Sequence, residues 1–443
     1  MHRMRYIWIA VLLIIMLMGC SLKKAEYVQP VEGVITVMDY NYWDFMQNYG
    51  GDAFTALHPG VKFEVIPPDG AEMNPDDMMN FIETHSPDVM ILWSYQYARL
   101  VRENKLLALD ALASRDKYDI EALYEGAVEL LRQQGNGELF GLVPTFYSSA
   151  LVYNRDLFDQ YNVPYPAGGM TWDEIAELAS RFPVSEDIEE RVYGFETGNS
   201  LWRWVENLGY RYYGLSAFDT EQHQVTLDTP QWRLVWTQAV RDYQSGVYHF
   251  PELLPADDYV KKNAFYQGKA AMTVIPSYDI AARLLDGPGG EKKVQFQWEA
   301  VAQPIHVDDA GQNATIDLFR VYAINRQAAN SEQAWAFLKY IASESYAQFL
   351  QPRQNGMLSL REGSTRSIGG LETEIFYEPR EAGVLTTSHA FELPHEFNAR
   401  YNELLQAELD AVISGEITVE QALTSLQAKV EVTYNQLVTA ELP

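Results

Sequence analysis

Apolar and polar positions along the first third of the chain predict strands that are separated by helices. Apolar runs at Val34–Met38, Val61–Ile66 and Asp88–Trp93 have the length of buried strands. Residues with helical periodicity, Tyr42–Leu57 and Pro75–Glu83, lie between them. Strands that alternate with helices indicate βαβ units and a largely parallel sheet. We therefore expect an α/β fold.

The rest of the chain continues this alternation as far as two long helices at its end. Further strands are predicted at Ala150–Tyr153, in the run that ends at Ile275, and at Val321–Asn325. Thr171 and Glu174 form a capping box, which predicts a helix at Trp172–Arg181. Other helices are predicted at Ile120–Gln133, Glu332–Ile341 and, within residues 395–438, on either side of Ser414-Gly415.

The N-terminus has the pattern of a secretory signal. Arg3 and Arg5 precede the apolar run Ile7–Met18, whose twelve residues are too few for a spanning helix of about 20. The run ends in Leu-Met-Gly before Cys20, the only cysteine, and resembles a lipobox. We expect a lipoprotein signal peptide at residues 1–19 and a lipidated tether at 20–32. The alternative is an uncleaved anchor followed by a buried structural cysteine.

Lipidation of Cys20 implies a protein held at the extracytoplasmic face of the cell membrane by acyl chains such as palmitate. No other apolar run reaches spanning length, and one cysteine excludes internal disulfides. With 443 residues, 47% of them hydrophobic and 13% aromatic, the chain is too long for one ordinary core and too apolar for a disordered chain. The formal charge of −28 opposes binding to nucleic acid or to anionic lipid surfaces.

Four stretches, in order, carry a resemblance to a known family. They are residues 87–93 with 106–110 (PDVMILW and LLALD), 153–158 with 171–174 (YNRDLF and TWDE), 268–272 (GKAAM), and 323–325 with 331–335 (AIN and SEQAW). In order and spacing they resemble extracellular solute-binding proteins of family 1, the sugar-transporter class that contains maltose-binding protein. Trp172 and Trp335 in these stretches have the spacing of core residues, and Gly268 that of a tight turn.

The resemblance implies a periplasmic-binding-protein-like fold of type II, with two α/β lobes that are discontinuous in sequence. It places three crossovers near residues 146–149, 268–272 and 342–346. The first lobe would comprise residues 33–147 and 270–343, and the second lobe residues 148–269 and 344–443. It further implies a monomeric substrate-binding subunit of an ABC importer, without catalysis or a cofactor, which captures an oligosaccharide by lobe closure and delivers it to permease subunits.

The candidate solute-binding residues follow the strands. Ligands of open α/β sheets bind beyond the carboxyl ends of strands, and aromatic rings interleaved with short polar side chains suit a sugar. This rule selects, after three apolar runs, Asp39, Tyr40, Asn41 and Trp43; Trp93, Ser94, Tyr95 and Gln96; and Ser277, Tyr278 and Asp279. Trp93 is the strongest of these, because its motif resembles the maltose-binding protein segment whose tryptophan faces the sugar; the alternative is a surface or core aromatic.

The family resemblance adds three further candidates. Tyr147 lies in the first predicted crossover, and either Trp202 or Trp204 would be the stacking residue of the second lobe, since residues two apart cannot share a helix face. Arg320 and Asp317 flank Leu318-Phe319, where the family often has a glycine-rich turn. This departure from the family pattern weakens any inference about the third contact region.

Three rival functions remain open at this stage. No G-x-S-x-G elbow, zinc-binding helix or EF-hand spacing is present, and no metal site is predicted. A secreted glycoside-processing enzyme would need two carboxylates at glycosidase distance, which sequence does not reveal. A surface sensor would have the same lobes. The acidic composition also permits the same fold to bind a polyamine or another solute that is not a sugar.

Overall fold

The computed structural model describes residues 31–39, 41–68, 75–187, 190–219, 222, 224–251, 260–285, 293–305, 316–350, 356–364, 367–368, 370–378 and 393–438. Its strands are β1 Glu32–Met38, β2 Gly60–Ile66, β3 Val89–Leu92, β4 Gly141–Leu142, β5 Thr145–Asn154, β6 Tyr193–Glu196, β7 Phe218–Asp219, β8 Gln224–Val225, β9 Tyr248–His249, β10 Ala270–Pro276, β11 Trp298–Ala302, β12 Ile316–Asp317, β13 Val321–Ile324, β14 Leu358–Ser359, β15 Ser367–Ile368 and β16 Leu371–Glu372.

The strands are connected by α-helices over most of the described chain. These are α1 Tyr42–Asn48, α2 Gly51–Leu57, α3 Pro75–His85, α4 Ser94–Arg102, α5 Asp110–Asp116, α6 Glu125–Gln134, α7 Arg155–Tyr161, α8 Trp172–Ala179, α9 Leu201–Asn207, α10 Pro230–Ser245, α11 Ser277–Asp279, α12 Ser331–Ile341, α13 Glu344–Leu350, α14 His395–Ile413 and α15 Val419–Leu437. Turns of π-helix continue α9 at Leu208–Tyr212 and α11 at Ile280–Leu284.

The first sheet has the strand order β2-β1-β3-β13-β4. Strand β1 pairs in parallel with both β2 and β3, whereas β13 runs antiparallel to β3 and β4. The three apolar runs at the start of the chain are therefore neighbouring parallel strands, as their alternation with helices predicts. Their carboxyl ends lie at one edge of the sheet, where Asp39 and Trp93 follow β1 and β3.

The second sheet has the order β11-β5-β10-β6-β9. Strand β5 runs antiparallel to β10 and β11, and β6 is parallel to β10 and β9. β5 is ten residues long, longer than the predicted Ala150–Tyr153, because its first half pairs with the short strands β12 and β14.

Two hydrophobic cores are built from segments that are distant in sequence. The first core draws on residues from Ile35 to Val152, from Ala264 to Val294 and from Ile316 to Tyr377. The second core draws on residues from Leu151 to Tyr248, on Ala271 and Met272, and on residues from Leu393 to Tyr434. Successive side chains of a strand point to opposite faces. Accordingly, Ala150 and Val152 of β5 belong to the first core, whereas Leu151 and Tyr153 belong to the second. The predicted domain boundaries stay a prediction.

Local sequence signals explain where the helices begin and end. The predicted helix Tyr42–Leu57 is two helices, because Gly50 has a φ of 100° between α1 and α2. The capping box is confirmed, with a distance of 3.2 Å from the Glu174 amide to Thr171 Oγ1, and its helix ends two residues before the predicted Arg181. Gly268 has the positive φ of a tight turn, and Trp172 and Trp335 are buried, as predicted.

None of the helices in the described parts of the chain is long and apolar enough to cross a membrane. The predicted signal peptide and the lipidation site Cys20 lie outside the described residues.

Candidate functional site

Four aromatic rings form a row between the ends of the two sheets. The ring centroids of Trp93 and Phe319 are 4.6 Å apart, those of Phe319 and Tyr147 6.2 Å, and those of Tyr147 and Tyr278 5.0 Å. Each pair meets edge to face, an arrangement that aromatic quadrupoles favour. We call these four residues the aromatic row. Three of them, Trp93, Tyr147 and Tyr278, are candidates from the sequence, and the structure brings them together.

The aromatic row is solvent-accessible although its members are large and apolar. Trp93 is 39%, Phe319 37% and Tyr278 41% exposed. Tyr147 is half-buried, and burial raises the pKa of its hydroxyl. Accessible rings that touch one another can cover the C–H face of a ligand without first losing contacts with the core.

Trp93 is oriented by the strand that precedes it and by the helix that follows it. It comes directly after β3 and precedes the first residue of α4. Its backbone amide donates to Gln96 Oε1 at 3.0 Å, and the Gln96 side chain is buried beneath this turn. Gln96, a predicted ligand-binding residue, therefore has its amide oxygen engaged with the backbone of Trp93 in this conformation.

Tyr278 is fixed at the end of β10 by a neighbouring loop. The Ser277 hydroxyl donates to the Gly356 carbonyl oxygen at 2.6 Å. Gly356 has a φ of 78°, and a Cβ built there would lie 2.5 Å from Tyr278 Cα. Only glycine therefore permits this close approach. On the other side of Tyr278, Asp279 accepts from Arg283 Nε at 2.8 Å.

A cavity of about 550 Å³ lies beside Tyr278. The predicted residues Trp202, Tyr278 and Asp279 line it. Its other polar lining residues are Ser149, Thr197, Asn199, Arg203, Glu206, Asn207, Asp317, Asn398 and Asn402. A concave site with aromatic walls and convergent polar groups is the usual form of a small-molecule pocket. We call this the polar pocket.

The two tryptophans of α9 differ in their surroundings. Trp204 is 4% exposed and packs edge to face on Trp172, with ring centroids 5.5 Å apart, so it belongs to the second core. Trp202 is only partly buried, and the Arg203 guanidinium lies 5.0 Å from its ring centroid. Both rings reach the polar pocket, Trp202 from its more accessible side.

Arg320 is enclosed by groups that follow strand β1 in the chain. Its guanidinium donates to Asp39 Oδ2 at 3.0 Å, lies 3.7 Å from Asp44 Oδ2, and stacks 3.7 Å from the ring centroid of Tyr49. The Asp39 side chain is fully buried. The predicted residues Asp39 and Arg320 thus form an ion pair. The central carbon of the Arg320 guanidinium lies 5.7 Å from the ring centroid of Phe319 in the aromatic row.

One of the remaining candidates, Trp43, lies apart from the aromatic row. Trp43 is 70% exposed, and its ring contacts that of Tyr42 at 5.4 Å rather than a ring of the aromatic row. Tyr40 lies outside the described residues. No group of three or more potential metal ligands was found in the described part of the chain.

The family model for bacterial extracellular solute-binding proteins matches residues 44–348, more than half of the chain. The chain belongs to this family. Among solved structures, this solute-binding protein is similar to a sugar transporter from Rhizobium etli in an open conformation, with a TM-score of 0.66 and 20% identity over 90% of this chain and 99% of that one.

Two further structures show the same fold. The sugar-binding protein MalE from Xanthomonas citri has a TM-score of 0.66 and 14% identity, over 93% of this chain and 100% of that one. UgpB from Mycobacterium tuberculosis, in complex with glycerophosphocholine, has a TM-score of 0.57 and 14% identity, over 92% of this chain and 99% of that one. The solute-binding protein therefore has the two-lobed, discontinuous α/β fold of this class.

Several residues of the site escape sequence reasoning. Phe319 stands between Leu318 and Arg320 before β13, where a lone aromatic gives no signal of its own. Thr197 and Asn199 follow β6, and the rule of looking beyond strand ends would have selected them if that four-residue strand had been recognised. Glu206 lies on helix α9, and the environment of its carboxyl group depends on Tyr401 of the distant helix α14.

Glu206 is the most perturbed acid of the polar pocket. Burial raises its pKa from 4.5 to about 7, against the opposing effects of Arg203 and of a hydrogen bond with Tyr401. The Tyr401 hydroxyl is buried and is also hydrogen-bonded to that of Tyr210. Because a carboxylate can only accept, Tyr401 donates to it. The polar pocket therefore contains a carboxyl group whose negative charge is only partly stabilised by Arg203 and Tyr401.

Proposed function

We propose that this chain is the substrate-binding lipoprotein of an ABC importer. It captures a carbohydrate, an oligosaccharide, between its lobes, closes over it and delivers it to membrane permease subunits. It is a monomer held at the extracytoplasmic face of the cell membrane through acyl chains on Cys20. The division into lobes at residues 33–147 with 270–343 and 148–269 with 344–443 is part of this proposal.

The aromatic row beside the polar pocket is the observation that carries the carbohydrate assignment. Sugars present C–H faces that stack on rings and hydroxyls that need short polar partners. Trp93, Tyr147, Tyr278 and Trp202 supply the rings, and the asparagines of the polar pocket supply amides. The similar structures from Rhizobium etli and Xanthomonas citri are named for sugars, which agrees with this assignment.

Thermal unfolding of the purified full-length chain in detergent, measured against mono- and oligosaccharides, tests the proposal. A ligand that binds only the native state adds about 2.7 kcal/mol at a hundredfold excess over Kd. We expect one class of saccharide to produce this stabilisation and to be recovered intact. No stabilisation by any saccharide would refute the carbohydrate assignment.

A pair of matched variants locates the binding. Tyr278 and Tyr243 are 41% and 42% exposed, but only Tyr278 belongs to the aromatic row. Tyr278→Ala should abolish most of the saccharide-induced stabilisation, whereas Tyr243→Ala should leave it unchanged. Equal responses of the two variants would place the sugar elsewhere.

Recovery of the saccharide also tests the enzymatic alternative. Glu206, with its raised pKa, shares the polar pocket with Asp279 and Asp317, and a neutral acid beside carboxylates is the arrangement that glycoside hydrolysis uses. Cleaved saccharide, with cleavage lost in Glu206→Gln, would establish the enzyme. The family and the similar structures are binding and transport proteins, so we expect the saccharide to be returned whole.

A further inference from the structure

The charges of the polar pocket are unevenly compensated. Three acidic residues line it, Glu206, Asp279 and Asp317, and Arg203 is the basic residue in its lining. Asp279 is paired with Arg283 at 2.8 Å. In the part of the chain that the structure describes, Glu206 receives a hydrogen bond from Tyr401 but forms no ion pair. Among the residues that the structure describes, no basic side chain is in contact with this carboxylate.

Arg203 does not take the place of that partner. It is exposed, and its guanidinium lies over the Trp202 ring at 5.0 Å from the centroid. Its attraction lowers the pKa of Glu206 by less than burial raises it. A partly buried carboxylate of this kind gains most from a cation that comes into direct contact with it.

Glu206 has capacity for such a contact. A carboxylate accepts at about four lone-pair positions, and Tyr401 uses one of them. The surrounding side chains of Asn207, Asn398 and Asn402 are neutral, and they also line the polar pocket. A solute in this pocket would thus meet neutral amides for its hydroxyls and, among the acidic residues, the partly buried carboxylate of Glu206.

We propose that Glu206 is a specificity-determining residue that selects a saccharide with a free, protonated amino group. This inference rests on the proposed carbohydrate function and narrows it to amino sugars. The solute ammonium donates to the Glu206 carboxylate while the rings of Tyr278 and Trp202 cover the sugar. A neutral saccharide leaves the carboxylate with Tyr401 alone and binds less tightly.

Titration calorimetry with two matched ligands tests the proposal on the full-length chain. An oligosaccharide of glucosamine and its N-acetylated counterpart of equal length share a backbone, but only the first is cationic when its amines are protonated. We expect the first to bind about tenfold more tightly, the difference between a charge-assisted and a neutral hydrogen bond. Equal binding, or tighter binding of the N-acetylated ligand, would overturn the proposal and leave the carbohydrate function intact.

Three variants show whether Glu206 is responsible for the preference. Glu206→Gln should remove the preference, whereas Glu83→Gln, an exposed acid that pairs with Lys105, should retain it. Arg203→Gln removes a competing positive charge from the pocket lining and should widen the preference for the amino sugar over the N-acetylated one. Persistence of the preference in Glu206→Gln would refute the assignment to this residue.

A polyamine separates failure of this inference from failure of the carbohydrate function. If neither saccharide binds but spermidine does, and Glu206→Gln abolishes its binding, the carbohydrate function is wrong and the cation-selective role of Glu206 stands. If neither the saccharides nor spermidine bind, both proposals are wrong.

Discussion

Substitution of Glu206 by glutamine should stabilise the protein in a manner that depends on pH. Glutamine keeps the shape of the side chain and an oxygen that accepts from Tyr401, but it carries no charge. The native pKa of Glu206 is about 7, compared with 4.5 in an unfolded chain. At about 1.4 kcal/mol per pH unit, its ionised form costs about 3 kcal/mol of stability.

The sign follows from proton binding. Between pH 4.5 and about 7 the native state holds this proton more tightly than the unfolded state does. The free energy of unfolding contributed by Glu206 therefore falls as pH rises through this window and is constant above it. Glu206→Gln should match the wild type at the acidic end and exceed it by up to about 3 kcal/mol at the alkaline end.

Urea unfolding at a series of pH values measures this difference. Burial also raises the pKa of Asp242, to about 6, but that residue is present in both proteins and its contribution cancels. Glu83→Gln, at an exposed acid, controls for the loss of one negative charge, and the stabilisation by Glu206→Gln at the alkaline end should exceed that of this control. The reasoning would be refuted if the difference between Glu206→Gln and the wild type did not change with pH.

Three further variants test how the site is held. Arg320→Met removes the guanidinium that pairs with the buried Asp39 carboxylate and should lower the free energy of unfolding by about 3–5 kcal/mol, whereas a loss below about 1 kcal/mol in urea unfolding would show that the pair contributes little. Gly356→Ala should displace Tyr278 and weaken saccharide binding in calorimetry; Gly363→Ala, with φ 79° and open space around it, should not, and equal losses would contradict the steric argument. Trp93→Ala should weaken binding about tenfold with little change in thermal stability, and unaltered affinity would remove Trp93 from the site.

Periodicity predicts those parts of the fold in which one face of an element is buried. The runs Val34–Met38 and Val61–Ile66 and the capping box at Thr171 carry local signals that the structure confirms. Strand β6 lacks such a signal because it has four residues and contains a glycine, and without it Asn199 could not be placed at a strand end.

The candidate site was predictable to the extent that it follows long strands. Trp93 and Tyr278 come directly after β3 and β10, so a rule about strand ends selects them. The same rule selects Gln96, whose side chain faces the backbone of its own turn, because sequence position does not reveal side-chain direction. The environment of Glu206 depends on contact with Tyr401, a long-range pairing that no local pattern encodes.

The sharing of strand β5 between the two cores has a consequence for cooperativity. Ala150 and Val152 face one core while Leu151 and Tyr153 face the other, so a slip of one residue would place every side chain of the strand in the wrong core at once. Neither lobe can lose this strand without exposing apolar surface of its neighbour. The two lobes therefore share a structural element, and its loss would destabilise both of them. For this reason we expect calorimetric melting to show a single transition rather than two.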